Sequence, residues 1–453
     1  MTCKPLLPAA LLALLLAACT SAPDSPAAES AATGTSDTSA TSAASATSAP
    51  SAASAASKST STKTALAATP RSQVLLISID GLRADALDWG ITPTLSALAA
   101  RGVRAQWMNP SYPALTFPNH YTLVTGLRPD HHGIVHNTME DPDLGGFKVS
   151  NTESTRDPRW WGGEPIWVGA EKAGLRSASW AWPGSHALIG GYRPGRVHAY
   201  HEHIGNDTRV DQVARWLSDP SLALATLYFE QVDKAGHDHG PQSPQYRQAI
   251  AGVDAALGRL LRDLQRQGTL ARTDIVIVSD HGMATVPPRQ VIAVEDMVPF
   301  DQAKVVSIGQ SVGIAPRAGQ EATASARLLG AHAHYDCWKK QDLPARWRYG
   351  THARIPPIVC QMHEGWDALP ATDVRARHAG GVRGSHGFDP ALPSMRAVFV
   401  AAGPSFLQGR TLPPFDNVDV YPMVAHLLGI AAAPNDGDAR TLMPALKEAP
   451  PTR

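Results

Sequence analysis

The chain lacks net charge, an internal repeat and an apolar run long enough to cross a membrane, and it has only four cysteines among 453 residues. Forty Lys+Arg balance 40 Asp+Glu. A protein that grips a nucleic-acid duplex by bulk phosphate neutralisation needs a basic face and usually a basic total, so the balance argues against that class. The run from Leu6 to Ala18 is too short for a mature transmembrane helix. Aromatic residues are scarce and are absent from residues 20–70. Against these shortages stands 43% apolar content, which excludes a wholly disordered chain. The length suits one large or two to three smaller domains. The 18 histidines stand out, because imidazole is the commonest metal ligand and titrates near neutral pH.

Residues 1–19 read as a secretory signal. It closes on Leu16-Ala17-Ala18-Cys19, which resembles the bacterial lipobox, with Cys19 as the lipidated first residue of the mature chain. Several acyl chains there anchor durably where one holds only marginally. Neither Thr20 nor Ser21 is the aspartate that often retains lipoproteins at the inner membrane, so the expectation is a periplasm-facing protein on the outer membrane, touching lipid through this anchor alone. About 40 of roughly 51 residues from Thr20 to Pro70 are Ala, Ser or Thr, and this segment reads as a disordered tether. Extended, it reaches on the order of 170 Å.

Folded sequence begins near Arg71. The runs 74–79, 223–229 and 275–279 are short and apolar, and each ends near an acidic residue: Asp80, Glu230 with Asp233, and Asp280. They read as buried parallel strands. Helical stretches lie between them at 93–100, 211–217 and 245–267, followed later by a strand at 397–401 and a helix at 419–428. The alternation predicts an α/β fold of three layers, a mostly parallel sheet covered by helices on both faces. The core is assigned to residues 71–284 and 381–445.

Residues 285–380 are broken by many prolines and read as a smaller α+β insertion. With Cys3 removed in the signal and Cys19 lipidated, Cys337 and Cys360 remain as an even pair in an oxidising compartment, and a disulfide is expected.

In an open α/β sheet, ligands bind outside the carboxyl ends of the strands, where Asp80, Asp233 and Asp280 all fall. His237 follows Asp233 by four positions, His281 adjoins Asp280, and His386 sits between glycines downstream. Mixed Asp/His ligation suits zinc or a similar borderline ion better than Mg²⁺. Six ligands exceed one tetrahedral zinc and fit two catalytic ions. Thr116 lies at or just before the start of a helix that Pro118 opens and Gly126 ends. Such a threonine is often only a helix cap, but a divalent cation can turn its hydroxyl into a nucleophile.

These residues, with Ile79-Asp80-Gly81, Thr116-Phe117-Pro118-Asn119-His120, Thr125-Gly126-Leu127-Arg128-Pro129, Trp182-Pro183-Gly184-Ser185, Gly236-His237, Ser279-Asp280-His281-Gly282-Met283 and Gly384-Ser385-His386-Gly387, resemble the nucleotide pyrophosphatase/phosphodiesterases of the alkaline phosphatase superfamily. The likeness runs from about residue 74 to about residue 437. It implies an alkaline phosphatase-like core with two zinc ions, one held by Asp233, His237 and His386 and the other by Asp80, Thr116, Asp280 and His281. It further implies Thr116 as nucleophile, with Asn137 and the Thr116 backbone N–H cradling a phosphoryl oxygen, on a nucleotide or other small phosphodiester substrate. Phe117 and Tyr228 are candidates to stack on a nucleobase, and Tyr200 is a further one on looser alignment. A choline-phospholipid diesterase, a phosphomonoesterase and a non-catalytic surface lipoprotein are the alternatives.

Overall fold

The computed structural model describes residues 72–447. The signal, the tether and Cys19 lie outside the described residues. No described helix is long and apolar enough to cross a membrane. The central sheet has eight strands: β1 (Gln73–Ile79), β2 (Val103–Ala105), β3 (Arg176–Trp180), β4 (Arg196–His198), β5 (Leu222–Phe229), β6 (Thr273–Val278), β7 (Phe399–Ala402) and β8 (Arg410–Leu412). Their order across the sheet is β8-β2-β7-β6-β1-β5-β3-β4. Every pairing is parallel except those of β7, which runs antiparallel to β6 and β2.

The alternation of side chains along β1 explains its uninterrupted apolar run. Leu75, Ile77 and Ile79 face one core, shared with α1 (Pro93–Arg101), α4 (Asn206–Leu217) and α6 (Pro244–Arg266). Val74 and Leu76 face the other, shared with α2 (Thr116–Thr125), α3 (Ile166–Lys172) and α7 (Val420–Leu428). Each buried Leu or Ile contributes about 1.5–3 kcal/mol. The expected three-layer α/β architecture is therefore the observed one. Strands β2, β3, β4 and β8 have no counterpart in the sequence reading, because three or five residues such as Arg176-Ser177-Ala178-Ser179-Trp180 carry too little hydrophobic pattern to register.

Between β6 and β7 the chain forms a second sheet of five antiparallel strands, 303–305, 311–316, 358–362, 335–339 and 330–331 in spatial order. Cys337 and Cys360 face each other on neighbouring strands and are joined as a disulfide. Their separation of 23 residues sets the entropy that the bond removes from the unfolded chain. Cys337→Ser with Cys360→Ser is expected to cost about 3 kcal/mol in a denaturant titration; an unchanged midpoint would show that the bond contributes nothing.

Buried histidines give this core a pH dependence. Burial pushes His132 down to about 3 and His136 down to about 4, against about 6.5 in an unfolded chain. Below pH 6.5 the unfolded state therefore takes up protons that the folded state refuses, and stability falls as pH falls. Between pH 7.5 and 5 each ring is expected to cost about 2 kcal/mol. His132→Gln should remove its share of that slope, and an unaltered slope would refute the assignment.

Candidate active site

The carboxyl edge of the sheet assembles the site. Strands β5, β1 and β6 are adjacent, so the residues that follow them arrive together. β1 runs into Asp80 and β6 into Asp280 and His281, while β5 leads into α5 (Gln231–His239) with Asp233 and His237 one helical turn apart. His386 follows a short strand, 383–385, that pairs with 284–286. Thr116 opens α2. The cap position there belongs to Leu115 and no side chain caps the helix, so the Thr116 hydroxyl is not spent on capping.

The six acidic and imidazole side chains converge. His281 Nε2 lies 2.9 Å from Asp280 Oδ2 and 3.5 Å from Asp80 Oδ1. Thr116 Oγ1 is 3.4 Å from the same nitrogen. His386 Nε2 is 3.0 Å from His237 Nε2 and 3.4 Å from Asp233 Oδ1, and His237 Nε2 is 3.4 Å from Asp233 Oδ2. The outward ring nitrogens are oriented by backbone carbonyls: His237 Nδ1 by Gly384, His386 Nδ1 by Ala114 and His281 Nδ1 by Gly282. Those contacts place the proton on Nδ1 and leave each Nε2 lone pair facing the cluster.

The carboxylates are short of positive charge. Asp80 Oδ1, Asp233 Oδ1 and Asp280 Oδ2 are buried with no hydrogen-bond partner. Burial, then Asp280 and Asp233, raises the Asp80 carboxyl well above its usual range, and burial likewise raises Asp233. Burial also opposes charge on Asp280, but the adjoining His281 and His120 outweigh it and hold that group well below the usual range. Three orphaned carboxylate oxygens in a desolvated cluster cost several kcal/mol unless cations meet them. The donor set of carboxylate and imidazole therefore fits divalent cations of the zinc type. Two triads among the described residues place ligand atoms within 4.8 Å of one another: Asp233, His281 and His386, and Asp80, His120 and Asp280. The second includes His120, whose ring nitrogens are both engaged, Nδ1 with the Thr116 carbonyl oxygen at 2.9 Å and Nε2 with Ser78 Oγ at 2.8 Å.

Asp80, Thr116, Asp233 and His237 line a cleft of about 740 Å³, room for a nucleotide-sized ligand, and Asp280, His281 and His386 lie buried behind them. Asn137 Oδ1 accepts from the Phe117 N–H at 3.0 Å, which turns its amide NH₂ away from α2. Both line the cleft, and the Phe117 ring is backed by Phe147 and Trp161, each with its ring centroid 6.1 Å away. The two tyrosine candidates separate. Tyr228 is 7% exposed and its hydroxyl donates to Asp80 Oδ2 at 2.6 Å, so it orients a carboxylate. Tyr200 is 46% exposed at the cleft wall and offers the more open ring. Arg156, His186 and Lys234 also line the cleft; none carries a motif that would have singled it out. Of the neighbouring histidines, His201 lines the cleft while His198 stacks on Trp180 at 3.7 Å.

The profile of the family "Type I phosphodiesterase / nucleotide pyrophosphatase" matches residues 74–389. The chain belongs to that family. As a type I phosphodiesterase / nucleotide pyrophosphatase it is a hydrolase of phosphodiester or pyrophosphate bonds. It is 35% identical over 393 residues to an uncharacterized pyrophosphatase/phosphodiesterase of Schizosaccharomyces pombe, covering 83% of this chain and 80% of the relative. It is 32% identical to human ectonucleotide pyrophosphatase/phosphodiesterase family member 7, covering 83% and 84%. Murine ectonucleotide pyrophosphatase/phosphodiesterase 5, solved as an inactive threonine-to-alanine variant in complex with AMP, superposes with a TM-score of 0.79 at 32% identity, covering 83% of this chain and all of that one.

Glycine at 384 lets the two halves of this family member's site approach. A Cβ there would lie 2.6 Å from the Gly236 carbonyl oxygen and 2.7 Å from Met283 Sδ, and backbone cannot yield cheaply. Gly384→Ala is expected to lose about 1–3 kcal/mol of stability and to displace His386 from His237. Wild-type melting and wild-type divalent-metal content in the variant would refute this.

Proposed function

We propose that this chain is a two-zinc nucleotide phosphodiesterase/pyrophosphatase that releases nucleoside 5′-monophosphates through a phosphothreonine intermediate at Thr116. The observation that carries the reading is the convergence of three unpartnered carboxylate oxygens with the Thr116 hydroxyl beside a nucleotide-sized cleft that Asp80, Thr116 and Asp233 line. Asp233, His237 and His386 would hold one ion, and Asp80, Thr116, Asp280 and His281 the other. When bound, the ions supply Lewis-acid charge that favours the Thr116 alkoxide and offsets charge on the phosphoryl oxygens.

Thr116 Oγ1 attacks phosphorus, the bond to the leaving oxygen breaks, and a phosphothreonine ester forms. The Asn137 amide, held by the Phe117 N–H, donates to a non-bridging oxygen as charge develops there. Water then attacks the ester, the Thr116 oxygen leaves, and the monoester is released. Phe117 and Tyr200 flank the space for the base, and the AMP bound by the murine relative supports a nucleotide as substrate.

The lipobox-like Leu16-Ala17-Ala18-Cys19 supports export and anchoring at Cys19, with the catalytic unit facing the periplasm from the outer membrane. The test of substrate class is a comparison of kcat/KM for nucleoside triphosphates, dinucleoside polyphosphates, glycerophosphocholine and an aryl phosphate. Nucleotide substrates are expected to lead; a marked preference for the aryl monoester or the phosphocholine ester would defeat the reading.

A further inference from the structure

We infer that His120 and Ser78 form a buried strut that positions the Thr116 nucleophile against the strand that carries Asp80, an inference that rests on the assignment of Thr116 above. Ser78 interrupts the apolar run of β1 two residues before Asp80 and is fully buried. A hydroxyl there is costly without a partner, and its side-chain partner is His120 Nε2 at 2.8 Å. The same ring reaches back along its own helix, where Nδ1 meets the Thr116 carbonyl oxygen at 2.9 Å. A carbonyl only accepts, so the proton sits on Nδ1. In the neutral ring the Ser78 hydroxyl therefore donates to Nε2.

The ring is enclosed. Trp182 Nε1 donates to the His120 carbonyl at 3.0 Å, and the Trp182 and Tyr228 rings stand edge-on to the imidazole at 5.3 and 5.0 Å. Nδ1 also lies 3.3 Å from Asp280 Oδ2, so the strut runs beside a carboxylate of the cluster. The chain of contacts Ser78–His120–Thr116 thus joins β1 to the first turn of α2. It fixes the distance between Asp80 and the nucleophile, which α2 by itself does not set. An apolar pair of the same volume would fill the space and leave no orphaned polar group, so packing alone does not call for these two side chains. Displacement of a nucleophile by about 1 Å costs on the order of 100-fold in rate, and that is the effect assigned to the strut.

The experiment compares zinc-loaded wild type, Ser78→Ala, His120→Asn, and the double variant Ser78→Ala with His120→Phe, on the nitrophenyl ester of thymidine 5′-monophosphate. Zinc content and melting temperature are measured alongside. The double variant is expected to keep its zinc, its melting temperature and, within about threefold, its KM, while kcat falls about 100-fold. His120→Asn keeps a donor near Nδ1 and should recover about tenfold of that loss, and Ser78→Ala alone should lie between it and wild type. A folded double variant with kcat within threefold of wild type would overturn the inference. So would zinc lost in proportion to kcat, because the strut would then act on the metal ligands rather than on Thr116. If the double variant does not fold, Ser78→Ala decides alone, and unchanged kcat there refutes the strut. Thr116→Ala in the same assay separates the two claims: turnover above a trace in it refutes the nucleophile, whereas Thr116→Ala reduced to a trace beside fully active strut variants refutes only the strut.

Discussion

Thr116→Ala is expected to cut turnover by about three orders of magnitude or more without loss of fold. The hydroxyl caps no helix and touches only His281 among the hydrogen-bonding groups of the site, at 3.4 Å. Its removal therefore costs little stability, and the chemistry carries the effect. Thr116→Ser keeps an oxygen at the same place with more rotamer freedom and should retain measurable activity. Rapid acid quench during turnover of a nucleoside triphosphate should leave a nucleotidyl group on the peptide that contains Thr116 in wild type and none in the alanine variant. Persistent metal-dependent turnover in Thr116→Ala, or a label on another residue, would remove Thr116 from the mechanism.

Removal of divalent metal is expected to abolish turnover and to lower the melting temperature on the order of 10 °C. The orphaned oxygens of Asp80, Asp233 and Asp280 face one another in a site from which water is largely excluded. Stripping the cations leaves that repulsion unopposed. Chelation followed by thermal melting gives the size of the effect. Returning zinc should restore both activity and melting temperature, with two ions bound per chain. A chelated protein that melts and turns over as before would refute the metal centre, and one ion per chain would refute the second position.

Much of the sheet was legible in the sequence because buried parallel strands write themselves as unbroken apolar runs. β1, β5 and β6 lie within two residues of the segments expected at 74–79, 223–229 and 275–279. α6 was equally plain, since Pro244 and the Ser243 cap start it and Gly268 follows its end. α4 begins at Asn206, five residues before the expected 211, because its first turn, Asn206-Asp207-Thr208-Arg209, is polar and lacks an apolar periodic signal. The cluster was legible for a topological reason: acidic residues after adjacent parallel strands must meet at one edge.

What escaped was whatever depends on side-chain direction. Sequence weighed Tyr228 above Tyr200 for base stacking, yet the Tyr228 hydroxyl is committed to Asp80 and its ring is buried, while Tyr200 keeps an open ring. His120 looked like one more histidine near a motif. Its contacts with Ser78 and Thr116 join residues 42 and 4 positions away, and no local pattern announces the first of these. Arg156 reaches the cleft from the end of a short helix, Thr152–Arg156, and His186 from a turn, and neither segment's composition is unusual.

The shared core of the second sheet bears on how the enzyme could be shortened. Ala114, two residues before the nucleophile, is fully buried among Val312, Ile314, Ile358 and Cys360 together with Phe388 and Met395. His386 in turn leans on the Ala114 carbonyl. The segment between β6 and β7 is therefore not an ornament that trimming could remove. It is the back wall of the loop that presents Thr116, so a minimal catalytic fragment must keep it, and thermal loss of that wall should silence the enzyme before the central sheet itself gives way.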